Sequence, residues 1–551
     1  MSQGWTINPT TDKIDFYEPP PTGTNNIVVK EFASGAFGTT TSIWALGAWS
    51  SEYGYPAECE YFGDRMWFAC TYAQPQTVWA SRVGAYSDFG KSSPIQDDDA
   101  ISATLNARQL NEIRDLVPLG KLVALTSAGE WQVSGGGDDV ITPSSVGFQP
   151  QSYRGVSQVQ SVVVGNSALF IQDRGTVVRD LSFRFEDDGY DGNDLSIFAA
   201  HLMEGHELTD IAYQQSPNSV VWLVRDDGVL LGLTYVREQE VIGWHRHDTD
   251  GFVENVCVIP ENGEDVLYIG VRRVIDGVTK RFVERLERRL VQDQVDCFFV
   301  DSGLSYDGRN TAATTVTVSG GFAWDESEDL TITASAATFT FSAPDTGDTA
   351  WIGDQVKVGS TRFIVVDWVS TTVMTVRVIG SVPVDIREVA TSGFVLMRNR
   401  IQGLDHLEGK TVSVLSDGNV EGRKVVTDGE ITLDRPGGVV HVGLPYTSDF
   451  ETLELNVIGS ETVRDRQKII PKVTLLVDKT AGIWAGPSFD RLEMWRPREF
   501  EAYGEPTTLL TGAASIDVST NWGKSGRVCA RQTDPLPITI LGVIPELKVG
   551  G

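Results

Sequence analysis

The segment Ile211-Ala-Tyr-Gln-Gln-Ser-Pro-Asn-Ser-Val-Val-Trp-Leu-Val-Arg-Asp-Asp-Gly-Val-Leu-Leu-Gly-Leu-Thr-Tyr235 indicates the fold class, because its pattern is that of one antiparallel hairpin. Val220 to Val224 is β-branched and aromatic, Asp227-Gly228 supplies a positive-φ turn, and the chain then returns to Tyr235. Residues 253–286 repeat this strand–turn–strand pattern, with two further turns. Small antiparallel sheets that recur about every 40 residues are typical of β-propeller blades.

Similar strand patterns come earlier in the chain, and together they predict five or six blades between Ala57 and Leu290. Two helices are also predicted. One spans Ala107 to Asp115, and the other, amphipathic, spans Leu195 to Glu204 after an Asn193-Asp194 cap. Lys280 to Leu290 fits helical spacing as well as a strand, but the Asp276-Gly277 turn just before it favours a strand.

The composition changes after Asn310, because no Lys or Arg occurs from Asn310 to Val356 and alternating strand patterns follow. The chain is therefore predicted to be all-β: a β-propeller with a small β-barrel-like insertion and a C-terminal β-sandwich-like domain. The predicted parts are an N-terminal arm with the first strands (1–50), the propeller (51–309), the insertion (310–390) and the C-terminal β-domain (391–551). That last domain is predicted to form a platform or the outer strands of the propeller.

The chain of 551 residues carries a formal net charge of −30. This charge argues against a protein that holds nucleic acid on its outside by neutralising phosphates. It fits a solvated acidic exterior, or a surface to which DNA does not adhere.

The five cysteines include no C-x-x-C pair, so structural disulfides and zinc are not expected and a reducing compartment is the default. The first residues show no basic and apolar signal-peptide pattern, and no apolar run approaches the roughly 20 residues that a membrane-spanning helix needs. A membrane-spanning segment is therefore not expected.

The densest carboxylate cluster is the acidic loop Glu186-Asp-Asp-Gly-Tyr-Asp-Gly-Asn-Asp194. A Ca²⁺ loop and a turn that leads into a helix cap both account for it, but the EF-hand order and its closing Glu are missing. His245 and His247 share one face of a strand, with His201 and His206 upstream, and no third ligand is evident. Structural hydrogen bonds are the preferred interpretation for these histidines.

No nucleophile elbow and no phosphate-binding loop occur, and the basic run Lys280 to Arg289 is interleaved with Glu284 and Glu287, which favours a salt-bridged surface strand. We therefore predict no catalytic residues, no cofactor and no metal ligands, and the chain is not expected to be an enzyme. A glycosidase would need a carboxylate pair in the propeller tunnel.

Short motifs in a fixed order resemble the tail nozzle proteins of short-tailed bacteriophages, also called tail tubular protein B or tail hub. The motifs are Gly47-Ala-Trp-Ser50, Gly54-Tyr-Pro56, Asp64-Arg65, Gln76-Thr-Val-Trp-Ala-Ser-Arg82, Ser216-Pro217 through Trp244-His-Arg-His247, Asp301-Ser-Gly-Leu-Ser-Tyr-Asp-Gly308, Leu407-Glu-Gly-Lys-Thr-Val412, Val440-His-Val-Gly-Leu-Pro-Tyr446, Asp534-Pro-Leu-Pro537 and Val549-Gly-Gly551. Relatives often carry a longer N-terminal region than the fifty residues that precede the first predicted blade here. The resemblance therefore does not predict which face of this chain docks on the adaptor ring.

The resemblance implies a virion structural protein in the phage tail, assembled in the host cytoplasm. Its implied form is a homo-oligomeric ring, usually a hexamer, below the portal and head-tail adaptor ring. Tail fibre or tailspike proteins are further expected partners. The lumen would carry the genomic DNA out during ejection, and part of the ring would gate it. The alternative is a propeller tail protein that binds or hydrolyses glycans, since propellers have many functions.

Overall fold

The computed structural model describes residues 5–8, 13–16, 48–107, 110–135, 140–185, 188–339, 351–456, 464, 466–495 and 506–550. The fold is all-β, as predicted. Within the described ranges, the complete helical segments are three-residue 3-10 turns, at Ala200–Leu202, Arg237–Gln239, Gln294–Asp296, Val384–Ile386 and Asp405–Leu407. Trp351, at the edge of a described range, is also in 3-10 conformation. None of these turns is long or apolar enough to cross a membrane.

The chain divides into two compact units. The first unit consists of Met1–His247 and Val253–Leu267, and the second of Asp248–Phe252 and Tyr268–Gly551. In the N-terminal arm predicted at residues 1–50, β1 (Trp5–Asn8) and β2 (Lys13–Phe16) pair as an antiparallel hairpin. Most of the remainder of this arm lies outside the described residues.

Four consecutive antiparallel sheets make up most of the first unit, each with its four strands hydrogen-bonded in chain order. The first sheet has β3 (Glu58–Phe62), β4 (Arg65–Ala69), β5 (Thr77–Ala80) and β6 (Ile101–Thr104), and the second has β7 (Ile113–Leu119), β8 (Lys121–Thr126), β9 (Gly129–Ser134) and β10 (Gly147–Ser152). The third sheet has β11 (Val162–Val164), β12 (Ser167–Ile171), β13 (Val178–Arg184) and β14 (Gly189–Asp191). The fourth sheet has β15 (Leu208–Gln214), β16 (Val220–Arg225), β17 (Leu230–Val236) and β18 (Val241–His247). A fifth sheet has β19 (Phe252–Glu261), β20 (Glu264–Ile275) and β21 (Val278–Arg285).

The four sheets of the first unit stack face to face in chain order. One core cluster joins Trp67 of the first sheet to Leu122 of the second, and another joins Val123 of the second to Phe170 of the third. A third cluster joins sheets three and four, and it includes Val221. Strand β16 is buried along its whole length. Val221 and Leu223 pack in this cluster, and Trp222 packs against the rings of His245 and His247. Four-stranded meanders that stack in this way are propeller-type blades.

The hairpin predicted from Ile211 to Tyr235 is confirmed. Val220 lies opposite Thr234 and Val224 opposite Leu230, and Gly228 has a φ of 82° at the turn. The predicted strand from Lys280 is also confirmed as far as Arg285, where β21 ends.

Both predicted helices are wrong in the part of the chain that the structure describes. Strand β7 begins at Ile113, so the end of the first predicted helix is a strand. A bulge at Asp115 allows Ile113, Leu116 and Val117 all to be buried, and buried residues with this spacing resemble one face of a helix. Only Ala200–Leu202 of the segment Leu195 to Glu204 is helical, as a 3-10 turn. Helical spacing would place Phe198 on one apolar face with Leu195, Ala199 and Leu202, but Phe198 is 97% exposed, so that face is not packed as a unit.

The remaining described strands of the second unit are β22 (Asp301–Asp307), β23 (Val316–Ser319), β24 (Leu330–Ala334), β25 (Gln355–Val358), β26 (Thr361–Ser370), β27 (Val373–Val378), β28 (Phe394–Gln402), β29 (Thr411–Ser416), β30 (Asn419–Val425), β31 (Glu430–Gly437), β32 (Val439–Leu444), β33 (Ser448–Glu451), β34 (Lys468–Thr480), β35 (Trp484–Ser488), β36 (Arg491–Met494), β37 (Leu510–Asp517), β38 (Cys529–Gln532) and β39 (Ile540–Val549). A seven-stranded antiparallel sheet, ordered β23-β24-β27-β26-β25-β28-β31, surrounds one buried cluster of Val, Ile, Phe, Trp and Met side chains. Three smaller sheets have the orders β22-β32-β29-β30, β33-β38-β35-β36 and β37-β34-β39.

Candidate functional site

Two aspartates, each on the first strand of a four-stranded sheet in the first unit, make corresponding hydrogen bonds to backbone amides. Asp115 on β7 and Asp210 on β15 each lie at a bulge. Oδ1 of Asp115 accepts from the Leu116 amide at 2.8 Å, and Oδ1 of Asp210 accepts from the Ile211 amide at 2.9 Å. The sequences around them, Ile113-Arg-Asp-Leu116 and Leu208-Thr-Asp-Ile211, share the apolar-x-Asp-apolar pattern.

The second oxygen of each aspartate reaches the following sheet. Oδ2 of Asp115 accepts from the Ser161 amide at 2.7 Å and from its hydroxyl at 2.5 Å, just before β11. Oδ2 of Asp210 accepts from the Val256 amide of β19 at 2.9 Å. Both bonds span 46 residues. We call these contacts the inter-sheet ties, because each connects the first strand of one sheet to the first strand of the next sheet, or to the residue just before it, by a charge-assisted hydrogen bond.

Glu58 on β3 is the titratable group next to the first tie. The pKa of Glu58 is raised to about 7, mainly by burial and in part by the negative charge of Asp115, while a hydrogen bond from Gln160 acts in the opposite direction. A carboxyl group that titrates near neutral pH beside a second carboxylate is an arrangement used for general acid and base catalysis. Asp115 already accepts three hydrogen bonds within the protein, which assigns it a structural role.

The acidic loop 186–194 is only partly described, because Glu186 and Asp187 lie outside the described residues. Asp191 pairs with Arg154 at 3.0 Å and lies 3.8 Å from Arg184. Asp194 accepts from the amide and hydroxyl of Ser196 at 2.8 and 2.7 Å. Asp191 and Asp194 therefore pair with residues of the same chain. Asp194 caps no helix, because the segment after it forms only the 3-10 turn Ala200–Leu202.

His245 and His247 lie together on β18, on one face as predicted. Nδ1 of His245 is 2.7 Å from Nε2 of His247, and both rings pack against the buried Trp222. The ring of His245 covers Gly232, where an added Cβ would lie 2.0 Å from the imidazole. His201, in the 3-10 turn, is exposed.

The structure also brings together a cluster that sequence reasoning missed, formed by His206, Asp226 and Asp227. Nδ1 of His206 is 2.8 Å from Oδ1 of Asp226, and Nε2 is 3.5 Å from Oδ2 of Asp227. Strand pairing causes this approach, since Leu208 lies opposite Arg225. The same register places His206 against the turn that follows Arg225. The detectable signal was the Asp-Asp-Gly turn together with a histidine just before the partner strand.

The basic run from Lys280 to Arg289 forms salt bridges, as predicted. Arg273, which is 2% exposed, makes two bonds of 2.7 Å to the carboxylate of Glu284. Arg285 pairs with Glu287 at 2.7 Å. Glu284 of β21 thus pairs with Arg273 of the neighbouring strand β20, and Glu287, just after β21, pairs with Arg285.

A groove of about 500 Å³ lies in the second unit beside two sheet-edge strands, β33 and β39. Its lining is mostly apolar: Ser448, Asp449, Phe450, Ile538, Ile540, Leu541, Gly542 and Val543. Leu541 is 69% exposed. Unpaired strand edges with exposed apolar side chains are able to bind other protein surfaces.

No family model matches the chain, and no curated protein matches it. Among solved structures, a protein from Lactobacillus plantarum is similar at 10% identity and a TM-score of 0.27, over 61% of this chain and 89% of its own. A luciferin-regenerating enzyme is similar at 9% identity and a TM-score of 0.24, over 62% of this chain and 95% of its own. Likeness at this level carries no argument about fold or function, so the sheet topology is what defines the propeller-type blades.

Proposed function

We propose that the chain is a structural subunit of a short-tailed phage tail: a nozzle or hub ring, usually a hexamer, that forms and gates the DNA exit channel below the adaptor. The observation that carries this proposal is the ordered series of family-like motifs from Gly47 to Gly551. The expected partners are further copies of the chain, the head-tail adaptor ring, tail fibre or tailspike proteins, and the genomic DNA in the lumen. The proposed location is the tail of the virion, after assembly in the host cytoplasm.

Charge and stiffness support this proposal. A chain with a net charge of −30 repels phosphate, so DNA would pass an acidic wall without adhering to it. Sheets that stack face to face and are tied through Asp115 and Asp210 make a rigid wall element. Closed cyclic rings are the usual form of such homo-oligomers.

The test is electron microscopy of the purified chain and of the assembled tail with this subunit labelled. We expect a ring with a central pore, located between the adaptor and the tail tip. A chain that stays a single subunit at high concentration would contradict the proposal. So would a pore lined mainly by Lys and Arg.

A second candidate function, glycan hydrolysis, is favoured by one observation: the raised pKa of Glu58 beside Asp115. A protonated Glu58 would donate a proton to a glycosidic oxygen. The test is a hydrolysis assay on a panel of bacterial surface glycans. Loss of activity in Glu58→Gln, with activity retained in Glu60→Gln, would support this function. The absence of hydrolysis by the native chain would exclude it for the glycans tested.

A further inference from the structure

We infer that His206 and Asp227 bind a divalent transition metal of the Zn²⁺ class on the first unit, and that Asp226 orients the imidazole. One ligand-type atom of each of the three side chains lies within 4.8 Å of the other two. They come from two segments that strand pairing brings together: the chain before β15 and the turn between β16 and β17.

The contact between His206 and Asp226 fixes the imidazole. Nδ1 of His206 donates to Oδ1 of Asp226 at 2.8 Å. A carboxylate that accepts from one ring nitrogen holds the tautomer in which the other nitrogen presents its lone pair, and metal-binding histidines are commonly oriented in this way. Nε2 is then the atom available for coordination.

Nε2 of His206 faces Oδ2 of Asp227 across 3.5 Å. This distance is long for a charge-assisted hydrogen bond. Two ligand atoms that each lie about 2.0–2.1 Å from one ion, at a roughly tetrahedral angle, are separated by about 3.4 Å. The spacing between the two side chains therefore suits a shared ion.

Arg225 positions the second ligand. Its Nε donates to Oδ1 of Asp227 at 2.9 Å, and its other bond to that carboxylate goes to Oδ2. Arg225 is 9% exposed and also donates to the Leu202 carbonyl at 2.6 Å, so the guanidinium is fixed. Two carboxylates and one guanidinium together carry a net charge of −1, which attracts a dication.

The ligand types determine the class of metal. Imidazole with carboxylate suits Zn²⁺, Co²⁺ or Ni²⁺, whereas Ca²⁺ and Mg²⁺ require oxygen ligands alone. The side chains of His206, Asp226 and Asp227 are 34%, 45% and 32% exposed, so water would complete the coordination. The ion would connect the segment before β15 to the turn after β16.

The test is titration of the untagged full chain with two metals. Binding of Zn²⁺ is measured by calorimetry, and binding of Co²⁺ is measured by the visible absorption of the bound ion. We expect binding that His206→Ala abolishes and that Asp226→Asn, which weakens the support of the imidazole, reduces by about 10–100-fold. His201→Ala is the matched control, because His201 is exposed in the same segment, and its binding should equal that of the native chain.

Three outcomes would overturn the assignment: no Zn²⁺ binding by the native chain, unchanged binding in His206→Ala, or loss of binding in His247→Ala with His206→Ala unaffected. Thermal melting of each variant without metal shows whether it folds. Asp226→Asn, which keeps the size of the side chain, serves as the second variant if His206→Ala is unstable. Zn²⁺ should raise the melting temperature of the native chain and not that of His206→Ala.

Discussion

At the scale of single residues, Glu58 makes stability depend on pH. Its pKa is raised from 4.5 to about 7 in the folded chain, mainly by burial. Between these values the folded state keeps a proton that the unfolded state has lost, so the stability from this group falls as pH rises from about 4.5 through 7. Because Glu58 is only partly buried, we expect about 1–2 kcal/mol rather than the full value of the shift.

Glu58→Gln removes this titration. We expect the variant to gain about 1–2 kcal/mol relative to the native chain between pH 5 and pH 8. Urea unfolding at both pH values measures it, with Glu60→Gln as the control on the same strand. An equal difference at both pH values would show that Glu58 does not titrate in this range.

The acceptor geometry of Asp210 predicts the strength of an inter-sheet tie. An Asn at this position keeps one acceptor oxygen, so it serves either the Ile211 amide or the Val256 amide but not both. We expect Asp210→Asn to lower the free energy of unfolding by about 1–3 kcal/mol. Denaturant unfolding checks this. Asp188→Asn, at an exposed turn, should change it by less than about 0.5 kcal/mol. Equal effects in the two variants would show that the tie contributes nothing.

At the scale of elements, the turn after β14 depends on a close backbone approach. A Cβ at Gly192 would lie 1.5 Å from the carbonyl oxygen of Asp180 on β13. Gly192→Ala must therefore separate these backbone segments, and we expect a loss of about 1–3 kcal/mol or more. Gly243→Ala on β18 is the control, since its nearest atom is 4.0 Å away. Thermal melting compares the two, and equal melting temperatures would contradict the argument.

Elements with local signals were predicted correctly, and those decided by distant contacts were not. Asp227-Gly228 between two apolar runs predicts the hairpin of β16 and β17, because both strand and turn signals lie within 16 residues. Leu195 to Leu202 has helical spacing, yet Phe198 is exposed and only one 3-10 turn forms. The inter-sheet ties and the contact of His206 with the Asp-Asp-Gly turn depend on strand register, which periodicity alone does not specify.

At the scale of the whole molecule, net charge predicts how the proposed ring responds to salt. Copies that each carry a charge of −30 repel one another, and added salt screens this repulsion. We expect the ring fraction to rise as NaCl increases from about 10 mM, where the screening length is about 30 Å, to about 150 mM, where it is about 8 Å. Light scattering after size exclusion measures this. Dissociation on adding salt would indicate an interface held by opposite charges.

The bond from Ser161 to Asp115 joins the second and third sheets without using the peptide chain that links β10 to β11. That link passes through Tyr153, which is 77% exposed. If a protease cut the backbone there, neighbouring blades would still be joined through the Asp115 carboxylate and the shared apolar core. The contacts that hold neighbouring blades together are therefore distinct from the peptide link between them. A circularly permuted chain with its ends at Tyr153 would keep the second and third sheets side by side.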